Sequence, residues 1–106
     1  MNSKYEQIRQ KLKEHIQKTL DYCNGIDRDE FLNNQILQDA CVFNVLQVGE
    51  LAARAIEYGV DQEYPEIMWR QMRGMRNRIV HDYEGVQLGI VWDTIQNDFP
   101  EMLNIL

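Results

Sequence analysis

The segment from Ile36 to Ile56 limits most severely what this chain can fold into. Ile36, Leu37, Ala40, Cys41, Phe43, Val45, Leu46, Val48, Leu51, Ala52 and Ile56 fall around most of the circumference of a helix turning ~100° per residue. A helix that is apolar almost all round is wrapped by neighbours, so the segment predicts the central helix of a bundle. Asn33 or Asn34 suits its N-cap and Gly59 its stop, bounding it to about 34–58. Asp39, Gln47, Glu50 and Arg54 are polar exceptions sharing roughly one side. Glu50 and Arg54 stand four residues apart, so the stripe reads either as a solvated face with a helical ion pair or as the wall of a cleft.

Partners for this helix are visible on both sides of it. Tyr5, Ile8, Leu12, Ile16, Thr19 and Leu20 recur at three and four, predicting an amphipathic helix over about 3–22. His15 borders that stripe as a boundary residue. Cys23-Asn24-Gly25 ends the helix, with Asn24 or Gly25 in the left-handed cap. Asp27 or Asp29 then caps a short turn carrying Phe31 and Leu32. The segment 60–65 reads as a polar link, and Pro65 with Glu66 opens the next helix. Met68, Met72, Met75 and Ile79 stripe that helix as far as about Asp82. Gly74 interrupts it at a cost near ~1 kcal/mol relative to Ala, which suits close approach of another helix. After a turn at Glu84-Gly85, Ile90, Val91, Thr94 and Ile95 form a last full helix with Trp92 as anchor. Pro100 is expected to end or bend it, leaving a final turn that buries Met102, Leu103 and Leu106. No segment alternates long enough to be a strand. The fold class is all-α, a bundle of four main helices with short extra helices, in one domain spanning 1–106.

A chain of 106 residues supports one modest core. No apolar run approaches the ~20 residues that span a bilayer. The start, Met1 to Glu6, lacks the apolar segment of a signal peptide, so the expectation is a cytoplasmic protein with no membrane partner. Cys23 and Cys41 have no His or Cys at ligand spacing, so no metal site is expected. They read as reduced thiols, with Cys41 in the core. The net charge of −6 argues against a general nucleic-acid coat, whose binding rests on neutralising phosphates. The charge is unevenly spread, however. Arg70, Arg73, Arg76 and Arg78, four of the eleven basic residues, fall within nine positions. Such a cluster fits a focused anion site or a contact for an acidic partner.

The cluster runs into Arg76-Asn77-Arg78-Ile79-Val80-His81-Asp82-Tyr83. Arginine is a permanent cation whose planar fork matches phosphate oxygens. Histidine gives or takes a proton near neutrality. Together they are the minimum kit for cleaving a phosphodiester without a metal. The spacing Arg-x4-His-x-Tyr resembles the signature of the HEPN superfamily, specifically its HepT-like toxins. Gln38-Asp39-Ala40, Gly49-Glu50, Pro65-Glu66-Ile67 before Trp69-Arg70, Gly74-Met75 and Ile90-Val91-Trp92-Asp93-Thr94 are similar to positions of that family. They cover about 31–103 in the family's order. One departure is Met68, where the family often has proline; it affects where the helix begins and removes no reactive group.

The resemblance implies a HEPN-type up-and-down helical bundle forming a symmetric homodimer, with metal-independent endoribonuclease activity and no cofactor. It implies a toxin–antitoxin pair with a minimal (MNT-type) nucleotidyltransferase, which silences the toxin by transferring AMP to the motif tyrosine, here Tyr83. A second reading is a non-catalytic nucleotide- or substrate-binding subunit of that nucleotidyltransferase. A third is a purely structural dimerisation module.

RNA supplies its own nucleophile, the 2′-hydroxyl. His81 can take that proton or protonate the leaving 5′-oxygen. Arg76 can hold the phosphate and stabilise the transition state, and Asn77 can orient substrate or imidazole. Arg73 and Arg70 are candidates for further RNA phosphate contacts. On a continuous helix Arg76 and His81 sit ~140° apart, whereas Asn77 and His81 face the same way. Either Arg76 reaches round, or the helix unwinds near Tyr83, or a second copy brings another motif to the cleft. The plain alternative is that His81 caps a helix end and Arg76 pairs with Asp82 or Glu84 on the surface.

Overall fold

Asn34 and Gly59 set the ends of the central helix. The computed structural model describes residues 3–106; Met1 and Asn2, the first residues of the polar start, lie outside the described residues. The central helix, here α3, spans Gln35–Tyr58. The Asn34 carboxamide oxygen accepts the Leu37 N–H at 3.0 Å, and Gly59 stops the helix with φ +81°. Cys41, Val48, Ala52 and Ala55 are fully buried, and burial of a side chain the size of Val48 contributes roughly 1.5–3 kcal/mol. The wrapping is incomplete: Ile36 is 85% and Phe43 56% exposed.

Helix α1, Ser3–Tyr22, runs antiparallel to α3. Tyr5 lies against Gly59 at one end, His15 bonds Asn44 midway at 3.0 Å, and Cys23 meets Cys41 at the other. His15 thus has an orienting partner, the buried Asn44, that its own helix does not reveal. Gly25 takes the left-handed position after α1, at φ +76°. Asp27 opens α2, Arg28–Leu32, through a capping box with Glu30. This short helix brings Phe31 onto Trp92, with ring centroids 5.1 Å apart.

The segment after Gly59 is not the polar link its composition suggests. It forms a short helix α4, Val60–Glu63, because Val60 is drawn fully into the core. Pro65 does not open the next helix either. The Trp69 indole N–H donates to the Tyr64 carbonyl at 2.9 Å, folding residues 64–68 into turns, and α5 spans Trp69–His81. The fourth main helix comprises α6, Leu88–Asp93, a π-helical turn, Thr94–Asp98, and α7, Phe99–Ile105. Pro100 therefore does not end it. A proline clashes with the carbonyl four residues back in a regular helix; the wider turn just before it, closed from the Phe99 N–H to the Thr94 carbonyl, lets the axis continue. Met102 and Leu106 are buried as expected, and Leu103 partly so. The Leu106 carbonyl accepts from Arg9 Nε at 2.7 Å, which returns the helix to the start of α1. The four main helices alternate up and down, and the described residues contain no strand.

The tightest packing is between α3 and α5. A Cβ built on Gly49 would overlap the Arg76 Cβ and lie 2.8 Å from the Met72 carbonyl oxygen. Gly49 is therefore where a missing side chain admits another helix. Gly74 has nothing within 4 Å of an added Cβ; it is exposed on the outer face of α5. Gly49→Ala should therefore destabilise the fold by about 1–3 kcal/mol, the usual cost of overpacking. Gly74→Ala should raise stability, by up to ~1 kcal/mol from helix propensity. Chemical denaturation of the two variants beside wild type checks both, and equal stability of Gly49→Ala and wild type would contradict this packing.

Candidate functional site on the outer face of α5

The sequence of α5 sorts its residues onto two faces. Trp69, Met72, Met75 and Ile79 are buried against the bundle. Arg70, Gly74, Asn77 and His81, spaced at four, three and four, form the opposite, exposed face. Arg73 flanks this face half-buried, and Arg78 flanks it exposed on the other side. Glycine at the middle leaves the face without a side chain between Arg70 and Asn77.

A cavity of about 440 Å³ opens beside the C-terminal end of α5, between it, the turn at 82–87 and the start of α6. Asn77, Arg78 and His81 supply its polar edge, and the buried Ile79 and Val91 its apolar floor. Asp82 shapes the turn: its carboxylate accepts the Gly85 N–H at 3.0 Å. A side chain at residue 85 would collide with that carboxylate. Asp82 is thus engaged by backbone and is not the partner of Arg76.

Arg76 leaves this face altogether. Its Nη1 meets Glu50 Oε1 of α3 at 3.2 Å, and its Nε is buried with no hydrogen-bond partner. An unpaired buried donor costs ~1–3 kcal/mol, so the guanidinium is held in the seam at some expense. The structure therefore brings Asn77 and His81 together and keeps Arg76 apart from them, as a continuous helix dictates. Glu50 pairs across to α5 and not with Arg54 along its own helix. Arg54 instead lines a second open cavity of about 500 Å³ with Lys11, His15, Glu50 and Val80, on the Arg76 side of α5.

Tyr83 projects from the turn after α5 and is 53% exposed. Its hydroxyl donates to Asp39 Oδ1 of α3 at 3.0 Å. This hydrogen bond to a carboxylate, with a smaller contribution from burial and from the Asp39 charge, holds the phenol above the usual tyrosine range. Tyr83 is thus neither buried nor free; it is an exposed ring tied to α3. Asp39 and Glu50 are the residues whose roles the sequence hid. Both lie on the polar stripe of α3, which is accordingly a wall facing α5 and its following turn. Their separation of eleven residues, about three turns, signals that they share a face of α3 but names no partner for either.

Among the described residues no group of three or more His, Cys, Asp or Glu side chains is placed to hold a metal ion. No described helix is long and apolar enough to cross a membrane.

An exposed cationic helix face over a cavity, on an up-and-down helical bundle, defines the class of this protein, and comparison with known proteins narrows it. The family model described as Ribonuclease HepT-like matches residues 12–106, and the chain belongs to that family. A protein of Methanocaldococcus jannaschii, provisionally named an RNase, is 30% identical over 83 residues, covering 78% of this chain and 71% of its own. A protein of Thermococcus cleftensis, provisionally named ribonuclease HepT, is 28% identical over 102 residues, covering 96% of this chain and 92% of its own. A third, from Caldanaerobacter subterraneus subsp. tengcongensis and also provisionally named an RNase, is 30% identical over 78 residues, 74% and 69% of the two chains. No solved structure matches the chain significantly.

The Tyr83–Asp39 bond has a definite pH signature. The folded pKa of Tyr83 lies above its unfolded value of about 10. The stability it contributes is then fully present below pH ~10 and is lost as pH rises through the folded pKa. Tyr83→Phe should accordingly cost stability at neutral pH, and the gap from wild type should close in strong alkali. Denaturation midpoints of the two proteins against pH measure this, and a gap independent of pH would show that the bond is not made.

Proposed function

We propose that this chain is a metal-independent endoribonuclease, the toxin of a HEPN/MNT toxin–antitoxin pair. The observation that carries the reading is the placement of Asn77 and His81 side by side on the open face of α5, at the edge of the 440 Å³ cavity, in a chain of the Ribonuclease HepT-like family. Relatives that bear RNase names support the same substrate class.

In this reading RNA lies along α5, with Arg70 and Arg73 contacting its backbone. His81 handles the proton of the 2′-hydroxyl or of the leaving 5′-oxygen. Cleavage leaves a 2′,3′-cyclic phosphate and a 5′-hydroxyl. Arg76 serves the transition state once a phosphate draws it from Glu50. A single contact at 3.2 Å to a half-exposed carboxylate competes poorly with a phosphate that takes the guanidinium in a bidentate grip. A symmetric dimer meeting across the Gly74 face would set the two histidines against one cleft, one as base and one as acid.

The resting Arg76–Glu50 pair also favours a second reading, the non-catalytic binding subunit, because the cation is not beside His81. Cleavage separates the two. His81→Ala and Arg76→Ala should each lower the rate of RNA cleavage by ~10²–10⁴ with the helical circular dichroism unchanged, and chelator should leave cleavage intact. If the site draws on two copies, mixing the two inactive variants restores part of the activity. Cleavage that persists undiminished in His81→Ala, or that EDTA abolishes, would overturn the mechanism; no cleavage by wild type would favour the binding subunit.

Silencing is assigned to Tyr83, by AMP transfer from ATP catalysed by a partner nucleotidyltransferase. The exposed ring stands two residues beyond His81, so an attached nucleotide brings bulk and a phosphate to the mouth of the site, within reach of the neighbouring arginines. Tyr83→Phe should remain toxic when co-expressed with the partner, whereas wild type is neutralised. Mapping the modified peptide after incubation with ATP tests the same point, and AMP on another residue would refute the assignment.

A further inference from the structure

The two cysteines, eighteen residues apart in sequence, are side by side in the fold. Cys23 follows the last residue of α1, and Cys41 lies in the second turn of α3. Their sulfur atoms are 3.6 Å apart and share a hydrogen bond. Both thiols are free and buried, and neither belongs to a metal-ligand cluster among the described residues. Nothing in the ribonuclease reading uses them.

We propose that Cys23 and Cys41 form a modification site, a buried dithiol that hydrogen peroxide converts to an intramolecular disulfide. A disulfide needs its sulfurs at about 2.0 Å, so the pair must close by roughly 1.5 Å from its present 3.6 Å. Cys41 is fixed within a long helix, and the movement falls to Cys23. That residue sits past the end of α1, its N–H bonded to the Thr19 carbonyl at 3.2 Å, and is followed by the turn through Gly25, which has open space around it. A segment of this kind shifts without disturbing a helix.

The chemistry divides between the two thiols. The hydrogen bond from Cys41 favours the thiolate at Cys23, against a smaller effect of burial, and the same bond together with burial disfavours it at Cys41. Cys23 also lies beyond the end of α1 and is 5% exposed where Cys41 is fully buried, so it is the sulfur that peroxide reaches and the attacking one. Its thiolate attacks one oxygen of hydrogen peroxide, breaking the O–O bond to give a sulfenic acid, and the released hydroxide takes up a proton to become water. The Cys41 sulfur, losing its proton, then attacks the sulfenic sulfur. The S–S bond forms, and a second water leaves with the hydroxyl. Two thiols lose two electrons, and one peroxide is reduced to two waters.

The closed loop contains α2 and the start of α3 through Asp39, to which Tyr83 is tied. Cross-linking a loop of this length restricts the unfolded chain, so the oxidised protein should be the more stable, and a thiol reductant should reverse it.

The test treats folded wild-type protein with hydrogen peroxide, then denatures it in iodoacetamide and measures the intact mass, with glutathione in a parallel tube as a reference thiol. The expected product is lighter by two hydrogen atoms, carries no alkyl group, and has a melting temperature several degrees above that of the reduced protein. Dithiothreitol should return both alkylation sites. In Cys23→Ser, a milder change than one at the fully buried Cys41, no such intramolecular product should form. Two alkyl groups on wild type after the glutathione has oxidised would overturn the proposal, as would sulfinic acid at either residue or cross-links only between chains. None of these readouts depends on ribonuclease activity.

Discussion

Where α3 and α5 cross at Gly49, the backbone of one helix lies against the other with no side chain between them. The depth of that approach decides the orientation of α5. With Met72 and Arg76 pressed toward Gly49, the helix can bury only the side that carries Trp69, Met72, Met75 and Ile79. Asn77 and His81 must then face outward. The same approach places the Arg76 guanidinium in the seam, where Glu50, one residue beyond Gly49, is in position to receive it. Packing and electrostatics of the candidate site thus rest on one absent methyl group, and the remaining helices brace this pair.

The four main helices were legible because each carries an apolar stripe of the right period, and α2 and the start of α3 because a capping residue marks them. Asn34, Asp27, Gly25 and Gly59 act at the ends the sequence offered them. What misled was proline. Pro65 suits the first turn of a helix, yet a local bond from the Trp69 indole to the Tyr64 carbonyl turns the chain first. Pro100 suits a stop, yet a π-helical turn absorbs it. In both cases the preference of the proline alone yields to a bond made by residues within six positions of it. Val60 is the same lesson in small: a single apolar residue among polar ones, invisible to periodicity, pulls a linker into a helix.

At the site, the directions of side chains along α5 follow from helical geometry, so the separation of Arg76 from His81 and the face shared by Asn77 and His81 were readable. The partners across the helix pair were not. Glu50 has an obvious mate four residues along its own helix, and an exposed pair of that kind is worth only a few tenths of a kcal/mol. A partly buried arginine on the facing helix is the more demanding charge and takes the carboxylate instead. Asp39 offered no clue by itself, because its partner Tyr83 lies outside any regular element, where spacing rules do not operate.

The Tyr83 oxygen carries one proton, and in this structure that proton is engaged with Asp39. Any ester formed at that oxygen removes the donor, so the bond cannot survive the modification. An incoming phosphoryl group would also meet the Asp39 carboxylate with like charge. Covalent chemistry at Tyr83 would therefore break this tie between the turn and α3 as well as add a group to it. The oxygen that would accept a group is the one whose proton ties the turn to α3.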